Sequence, residues 1–176
     1  MISAVVLAAG ASSRFGSPKQ ALLLEPVLGR VRASSVDDVL VVLGAHELDS
    51  SVRAVHCPDW ERGPGASLRC GLTALPPDAD AAVVVLADGP ELDPEAIDRV
   101  IAAWRAGSGP VVAATYNGTR LHPVLLDRGA WQEIPDEGAK TLDAVLVSCD
   151  DLSPPGDVDF ADEVPERLKP WSSPDP

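Results

Sequence analysis

The sequence predicts an α/β fold, a three-layer α/β/α sandwich built on a doubly wound, mostly parallel sheet. Three observations carry that expectation. Short β-branched apolar runs recur at residues 4–8, 39–43, 82–87 and 111–115, each about the length of a strand buried on both faces. Stretches with helical spacing, 67–75 and 94–104, fall between several of them. A loop of small residues, Gly10, Ala11, Ser12 and Ser13, follows the first run, at the carboxyl end of a strand, where open α/β sheets bind ligands.

Each element has its own local reason. Ala4-Val5-Val6-Leu7-Ala8 and the run at 39–43 offer no polar side chain to either face of a sheet, as a central strand requires. The segment 94–104 opens with Asp93 as N-cap, Pro94 at the first helical position and Glu95 behind it. Pro76-Pro77 and Pro154-Pro155-Gly156 read as loops inside one domain, because ordered-looking segments resume on both sides. Residues 1–168 are expected to form that domain, and 169–176, without periodicity, a loose tail.

Composition narrows the function classes. A chain of 176 residues with 45% hydrophobic content suits a single core, and a formal net charge of −13 repels a nucleic-acid backbone. No nucleic-acid partner is expected. The N-terminus lacks a basic n-region and no apolar run approaches the ~20 residues of a membrane span, so a soluble cytoplasmic protein is expected. Cys57, Cys70 and Cys149 show no C-x-x-C pair and read as inert thiols. The sequence carries no signal for an oligomeric state.

The loop after the first strand is suited to phosphate. Backbone N–H groups of Gly10 to Ser13 can approach an anion closely, and two cations follow at Arg14 and Lys19. It is not a P-loop, because Phe15 stands where the second glycine should be and Lys19 comes too late. A dinucleotide fingerprint also fails, with Ser12 and Phe15 at its glycines. An ordinary strand-to-loop turn with two solvated cations fits the same residues.

Leu7-Ala8-Ala9-Gly10-Ala11-Ser12-Ser13-Arg14-Phe15-Gly16, followed by Pro18-Lys19-Gln20, resembles the signature of the MobA-like nucleotidyltransferases. The resemblance implies a fold like the nucleotide-diphospho-sugar transferases. It also implies that Leu7, Ala8, Ala9, Gly10, Ala11, Ser12, Ser13, Arg14 and Lys19 bind a nucleoside triphosphate, with Arg14 and Lys19 acting in catalysis. Alanine at position 9 is similar to the pyrimidine-using members, among them molybdenum cofactor cytidylyltransferase, whereas guanylyltransferases tend to carry glycine there.

Further segments extend the likeness. Ala87-Asp88-Gly89-Pro90 is similar to the family's G-D-[QM]-P, which implies that Asp88 is catalytic and holds Mg²⁺; Gly89 departs from the pattern. Asp157-Val158-Asp159 resembles the start of D-I-D-T-P-E-D. Alternation along an extended strand would point both aspartates one way, and Asp159 is the favoured second metal ligand. An acidic loop of no chemical role is the alternative. Trp60 to Leu72 resembles the nucleotide-side segment, with Ser67 at a helix start, where it serves the nucleotide, the helix cap or both.

On the acceptor side, Tyr116 to Leu125 looks like Y-x-G-x-x-G-H-P-V-L and retains His122, with Leu121 in place of glycine. Asp136-Glu137-Gly138-Ala139-Lys140 resembles G-D-x-G-A-R. These likenesses imply that His122, Gly138 and Lys140 bind the acceptor. Between Gln20 and Asp38 the chain is shorter than the family and lacks its G-x-P-L-L.

The activity implied is Mg²⁺-dependent transfer of CMP from CTP to a phosphorylated acceptor, molybdopterin being favoured, with release of pyrophosphate. Alternatives are another nucleoside triphosphate, a sugar or polyol phosphate acceptor, a nucleotide-binding module without turnover, and a nicotinamide-dependent oxidoreductase.

Overall fold

The computed structural model describes residues 1–11 and 19–169. Ser12, Ser13, Arg14 and the tail from 170 onward lie outside the described residues. A seven-stranded sheet runs in the order β3-β2-β1-β4-β6-β5-β7. Its strands are β1 (Ile2–Ala8), β2 (Asp38–Leu43), β3 (Arg53–His56), β4 (Ala81–Leu86), β5 (Val111–Tyr116), β6 (Thr119–Asp127) and β7 (Val145–Ser148). Strand β1 pairs in parallel with β2 and with β4, whereas β6 is antiparallel to both of its neighbours. The expected mostly parallel, doubly wound sheet is present.

Alternation along the strands divides the core in two. Val6, Val41, Val83 and Val85 pack beneath Leu24, Val27, Leu28 and Val31 of α1 (Gln20–Arg32) and Ile97, Val100 and Ile101 of α3 (Pro94–Arg105). Val5, Leu40, Val42, Val84 and Leu126 pack beneath Leu68 and Leu72 of α2 (Pro64–Thr73) on the opposite face. Asp93 caps α3 as expected, its Oδ1 accepting from the Glu95 N–H at 2.9 Å.

The short 20–38 segment forms a full helix, because α1 buries Leu23, Leu24, Val27, Leu28 and Val31 and so offsets the cost of Pro26 in its interior. One local expectation, that the cysteines are thiols, is corrected. Cys57 and Cys70 are joined in a disulfide with Cα atoms 5.7 Å apart, since the loop after β3 lies against the middle of α2. Cys149 is a buried thiol. Among the described residues no helix is long and apolar enough to cross a membrane.

The strand order places β2 on one side of β1 and β4 on the other, so the crevice at their carboxyl ends is the ligand-binding position of such a sheet. Ala8–Gly10 leaves one wall of that crevice, and Ala87 and Asp88 leave the other.

Candidate active site

The start of the loop after β1 is held from three sides. Gln20 Nε2 donates to the Gly10 carbonyl at 2.9 Å, Ala45 N–H donates to the Ala9 carbonyl at 3.1 Å, and His46 Nε2 lies 3.0 Å from the Ala11 carbonyl. Ala8 and Ala9 are buried and Gly10 and Ala11 exposed, so the chain passes here from core to surface. Leu7 is half-buried at the end of β1.

Lys19 lies just before α1 and is only 8% exposed. A buried ammonium needs charge partners, and this one reaches Asp88 Oδ2 at 3.1 Å, Asp159 Oδ1 at 3.4 Å and the Val158 carbonyl at 2.7 Å. Three residues far apart in sequence are thereby gathered at one point. Two contacts fix the approach of the late segment: Val158 N–H donates to the Asp88 carbonyl at 3.1 Å, and the Val158 side chain packs against Leu23 of α1 and Val164.

The two late aspartates do not lie on a strand. Glu163 Oε2 accepts from the backbone N–H groups of Asp159 and Phe160, at 2.8 and 2.9 Å, and turns the chain. Asp157 is exposed, whereas Asp159 turns to Lys19. Asp88 fits a divalent cation by its own geometry: Oδ1 is buried without a hydrogen-bond partner, while Oδ2 takes the lysine. Hard carboxylate oxygens are what Mg²⁺ and Mn²⁺ accept. Among the described residues no three His, Cys, Asp or Glu side chains form a metal cluster, so a cation here would take its remaining ligands from phosphate and water.

His122, Gly138 and Lys140 line one cavity of about 310 Å³, together with Leu7, Leu68, Leu86, Leu121 and Arg120. The His122 imidazole is 9% exposed, and neither ring nitrogen has a hydrogen-bond partner. Burial pushes its pKa down to about 4, with the Asp88 charge pulling weakly the other way. Leaving such a group unsatisfied costs on the order of 1–3 kcal/mol, which a ligand or water reaching the ring would offset.

Ser67 is not a helix cap. Gly63 occupies the N-cap position and Pro64 begins α2, which puts Ser67 one turn inside, buried, with its N–H 3.5 Å from the Gly63 carbonyl. The start of this helix is joined to the turn before Gly138. Gly65 N–H donates to the Asp136 carbonyl at 2.9 Å, and Arg69 bonds both the Ile134 carbonyl and the Asp136 carboxylate.

Sequence reasoning missed Arg69, Asp136 and Arg120. Arg120 braces the far side of the turn through the Leu142 and Ala139 carbonyls, at 2.6 and 2.9 Å. Its signal was a lone cation just ahead of the apolar Val124-Leu125-Leu126 run.

A profile of the MobA-like NTP transferase domain matches residues 4–151. The chain belongs to the MobA-like NTP transferase family. Nicotine blue oxidoreductase of Paenarthrobacter nicotinovorans is 27% identical, over 93% of this chain and 94% of that protein. The structure of Rv0371c from Mycobacterium tuberculosis H37Rv is 29% identical, with a TM-score of 0.77 over 95% of this chain and 96% of the other. A second structure of Rv0371c, in complex with manganese, is 26% identical, with a TM-score of 0.71 over 95% and 97% of the two chains.

Membership of the MobA-like family makes the chain nucleotidyltransferase-like, and it gives the Lys19 cluster a chemical context. Lys19, just before α1, joins the β4 end to the late segment through Asp88, Asp159 and the Val158 carbonyl. The Arg69–Asp136 link makes the Ser67 helix and the Gly138 turn one mechanical unit.

Proposed function

We propose that this protein moves CMP from CTP onto a phosphorylated acceptor, molybdopterin, and releases pyrophosphate. The observation that carries the reading is the convergence of Asp88, Lys19 and Asp159, from the end of β4, the start of α1 and the late segment. In the reaction, an acceptor phosphate oxygen forms a bond to the α-phosphorus in line, and the bond from that phosphorus to the bridging oxygen breaks. The electron pair leaves with pyrophosphate. An ionised phosphate needs no general base, so the protein's work is positioning and charge neutralisation.

The backbone of Gly10 to Ser13 and Arg14 would hold the β- and γ-phosphates, and Lys19 would meet charge growing at the α-phosphate. Ser67 would serve the nucleotide from α2. His122, Gly138 and Lys140, which share one cavity, would hold the acceptor. A divalent ion held by Asp88 and Asp159, Mg²⁺ or Mn²⁺, would supply Lewis-acid charge to the phosphate oxygens. The manganese complex of Rv0371c supports a divalent ion in this role. Alanine at position 9, as in the pyrimidine-using members that the loop resembles, supports the pyrimidine assignment.

A second reading, a nicotinamide-dependent oxidoreductase, is favoured by the name of the relative from Paenarthrobacter nicotinovorans. Against it stands the missing G-x-G-x-x-G. Incubation with CTP labelled at the α-phosphate, molybdopterin and Mg²⁺ or Mn²⁺ separates the two. Label in a new diphosphate product, equal in amount to the pyrophosphate released, supports transfer. In a parallel incubation with NADPH and a quinone-type dye, transfer of hydride from NADPH to the dye, with no CTP consumed, supports the oxidoreductase.

A further inference from the structure

The cavity that His122, Gly138 and Lys140 share is walled mostly by hydrocarbon. Its floor is the α2-facing side of the sheet at the carboxyl ends of β1 and β4, where by alternation Leu7 follows Val5, Leu86 follows Val84 and His122 precedes Val124. Pro64 and Leu68 of α2, with Ala139 of the turn joined to that helix, complete the walls. At about 310 Å³ the space lies at the small end of ligand pockets, which run roughly 300–1,000 Å³, so it suits the body of one small molecule. Its His122 end meets the cluster around Lys19: a β carbon on Gly89 would lie 2.7 Å from His122 Nε2, so the ring packs against the residue after Asp88.

The polar side chains of the lining offer a ligand little. Arg120 spends both terminal nitrogens on the Leu142 and Ala139 carbonyls. The His122 nitrogens are covered, and burial keeps the ring neutral at pH 7 by pushing its pKa down to about 4. Glu137 and Lys140 are exposed and leave the interior of the cavity uncharged. A hydroxyl taken from water into such a space must find a new partner or lose the hydrogen bonds it had, and a sugar brings several. An apolar ring face loses nothing there and gains contact.

Two leucines extend this surface outward. Leu86 is 38% and Leu121 36% exposed, although Val84 and Val124 on the same strands are buried. One exposed leucine is ordinary, but two on the lining of a single cavity make an apolar surface that a ligand can cover. Position 121 is a glycine in the pattern that this stretch resembles, so the leucine is an addition of this chain. We propose that Leu86 and Leu121 set the acceptor class, so that the cavity takes a phosphate ester whose body presents apolar ring faces and turns away sugar and polyol phosphates. The inference rests on the reading of this cavity as the acceptor site.

The test uses the full chain and two phosphate monoesters, 1-naphthyl phosphate and glucose 1-phosphate, in calorimetric titrations at several temperatures. 1-Naphthyl phosphate should bind about tenfold more tightly or better, with the negative heat-capacity change of apolar burial. Leu86→Asn and Leu121→Asn, at positions exposed enough to leave the core packed, should each cut that preference about fivefold or more and shrink the heat-capacity change. Melting curves check that both are folded, and the parent's own preference decides the matter should they fail to fold. Glucose 1-phosphate binding as tightly as 1-naphthyl phosphate, no binding of 1-naphthyl phosphate, or a preference that survives in both folded variants overturns the inference. Label passing from CTP to glucose 1-phosphate but not to 1-naphthyl phosphate also overturns it, while leaving nucleotidyl transfer standing. The expected preference, lost in the two variants but with no label moved from CTP to any phosphate ester, supports the selectivity of the cavity and sinks the transfer reading alone.

Discussion

Lys19 sits at the point where stability and chemistry meet. Removing its ammonium leaves two carboxylates facing each other in a partly buried place, so Lys19→Ala is expected to lose on the order of 1–3 kcal/mol of stability. It should also lower kcat by roughly 10²-fold or more, with a smaller effect on nucleotide affinity, because charge at the α-phosphate grows chiefly in the transition state. Added Mn²⁺ should recover part of the lost melting temperature by restoring positive charge between the carboxylates. Steady-state kinetics and melting curves with and without metal check both halves.

Ala9 makes a second residue-scale prediction. Its methyl is buried, and its carbonyl is held by Ala45 N–H beside Gly44, where a β carbon would come within 2.7 Å of that same oxygen. CTP should bind more tightly than GTP, and Ala9→Gly should narrow the gap by about 1–2 kcal/mol, measured by calorimetric titration of both nucleotides. Tighter GTP binding by the parent would contradict the pyrimidine assignment. Lys19, Asp88 and Asp159 were legible in the sequence because each stands in a motif with fixed spacing. Arg120 and Arg69 were not, since their work is to hold carbonyls of a turn that only the folded chain brings near.

At the scale of elements, α2 and the turn before Gly138 behave as one piece. A β carbon on Gly65 would lie 1.7 Å from the Pro135 carbonyl oxygen, which is backbone and cannot step aside. Gly65→Ala should therefore destabilise the fold by about 1–3 kcal/mol or more, seen as a lowered denaturation midpoint, and weaken nucleotide and acceptor binding together. An unchanged midpoint would show that helix and turn move independently.

On the other face, Arg99 of α3 grips Asp151 beyond β7 and holds its carboxyl down to about 2. The folded value lies below the unfolded value of about 3.9. The stabilising contribution is then present above pH ~4 and is lost as the pH falls through about 2. Melting temperatures of Asp151→Asn should lack that part of the acid dependence, and because the pair is exposed the difference should shrink with added salt.

The elements legible in sequence were those with continuous apolar runs, β1, β2, β4 and β5. Strands β3 and β7 have mostly exposed side chains, and β6 carries Arg120 and Pro123, so none offered the periodicity of a buried strand. The Cys57–Cys70 bridge was hidden for a related reason: its partners meet across a loop and a helix, not within a short motif.

For the whole molecule, the topology sets the buried Lys19 ammonium, already paired with Asp88 and Asp159, at the crevice of a chain of net charge −13, where the proposed reading puts a triphosphate. Such a site should bind a triphosphate weakly alone and much more tightly with a divalent ion, which brings the charge the protein lacks. Calorimetric titration of CTP into the parent and Asp88→Asn, each with and without Mn²⁺, tests this central claim without needing the acceptor. The account predicts saturable binding of CTP to the parent that Mn²⁺ strengthens at least tenfold, and the loss of that metal effect in a fully folded Asp88→Asn. CTP affinity that is indifferent to metal, or a metal effect that Asp88→Asn leaves intact, would contradict it.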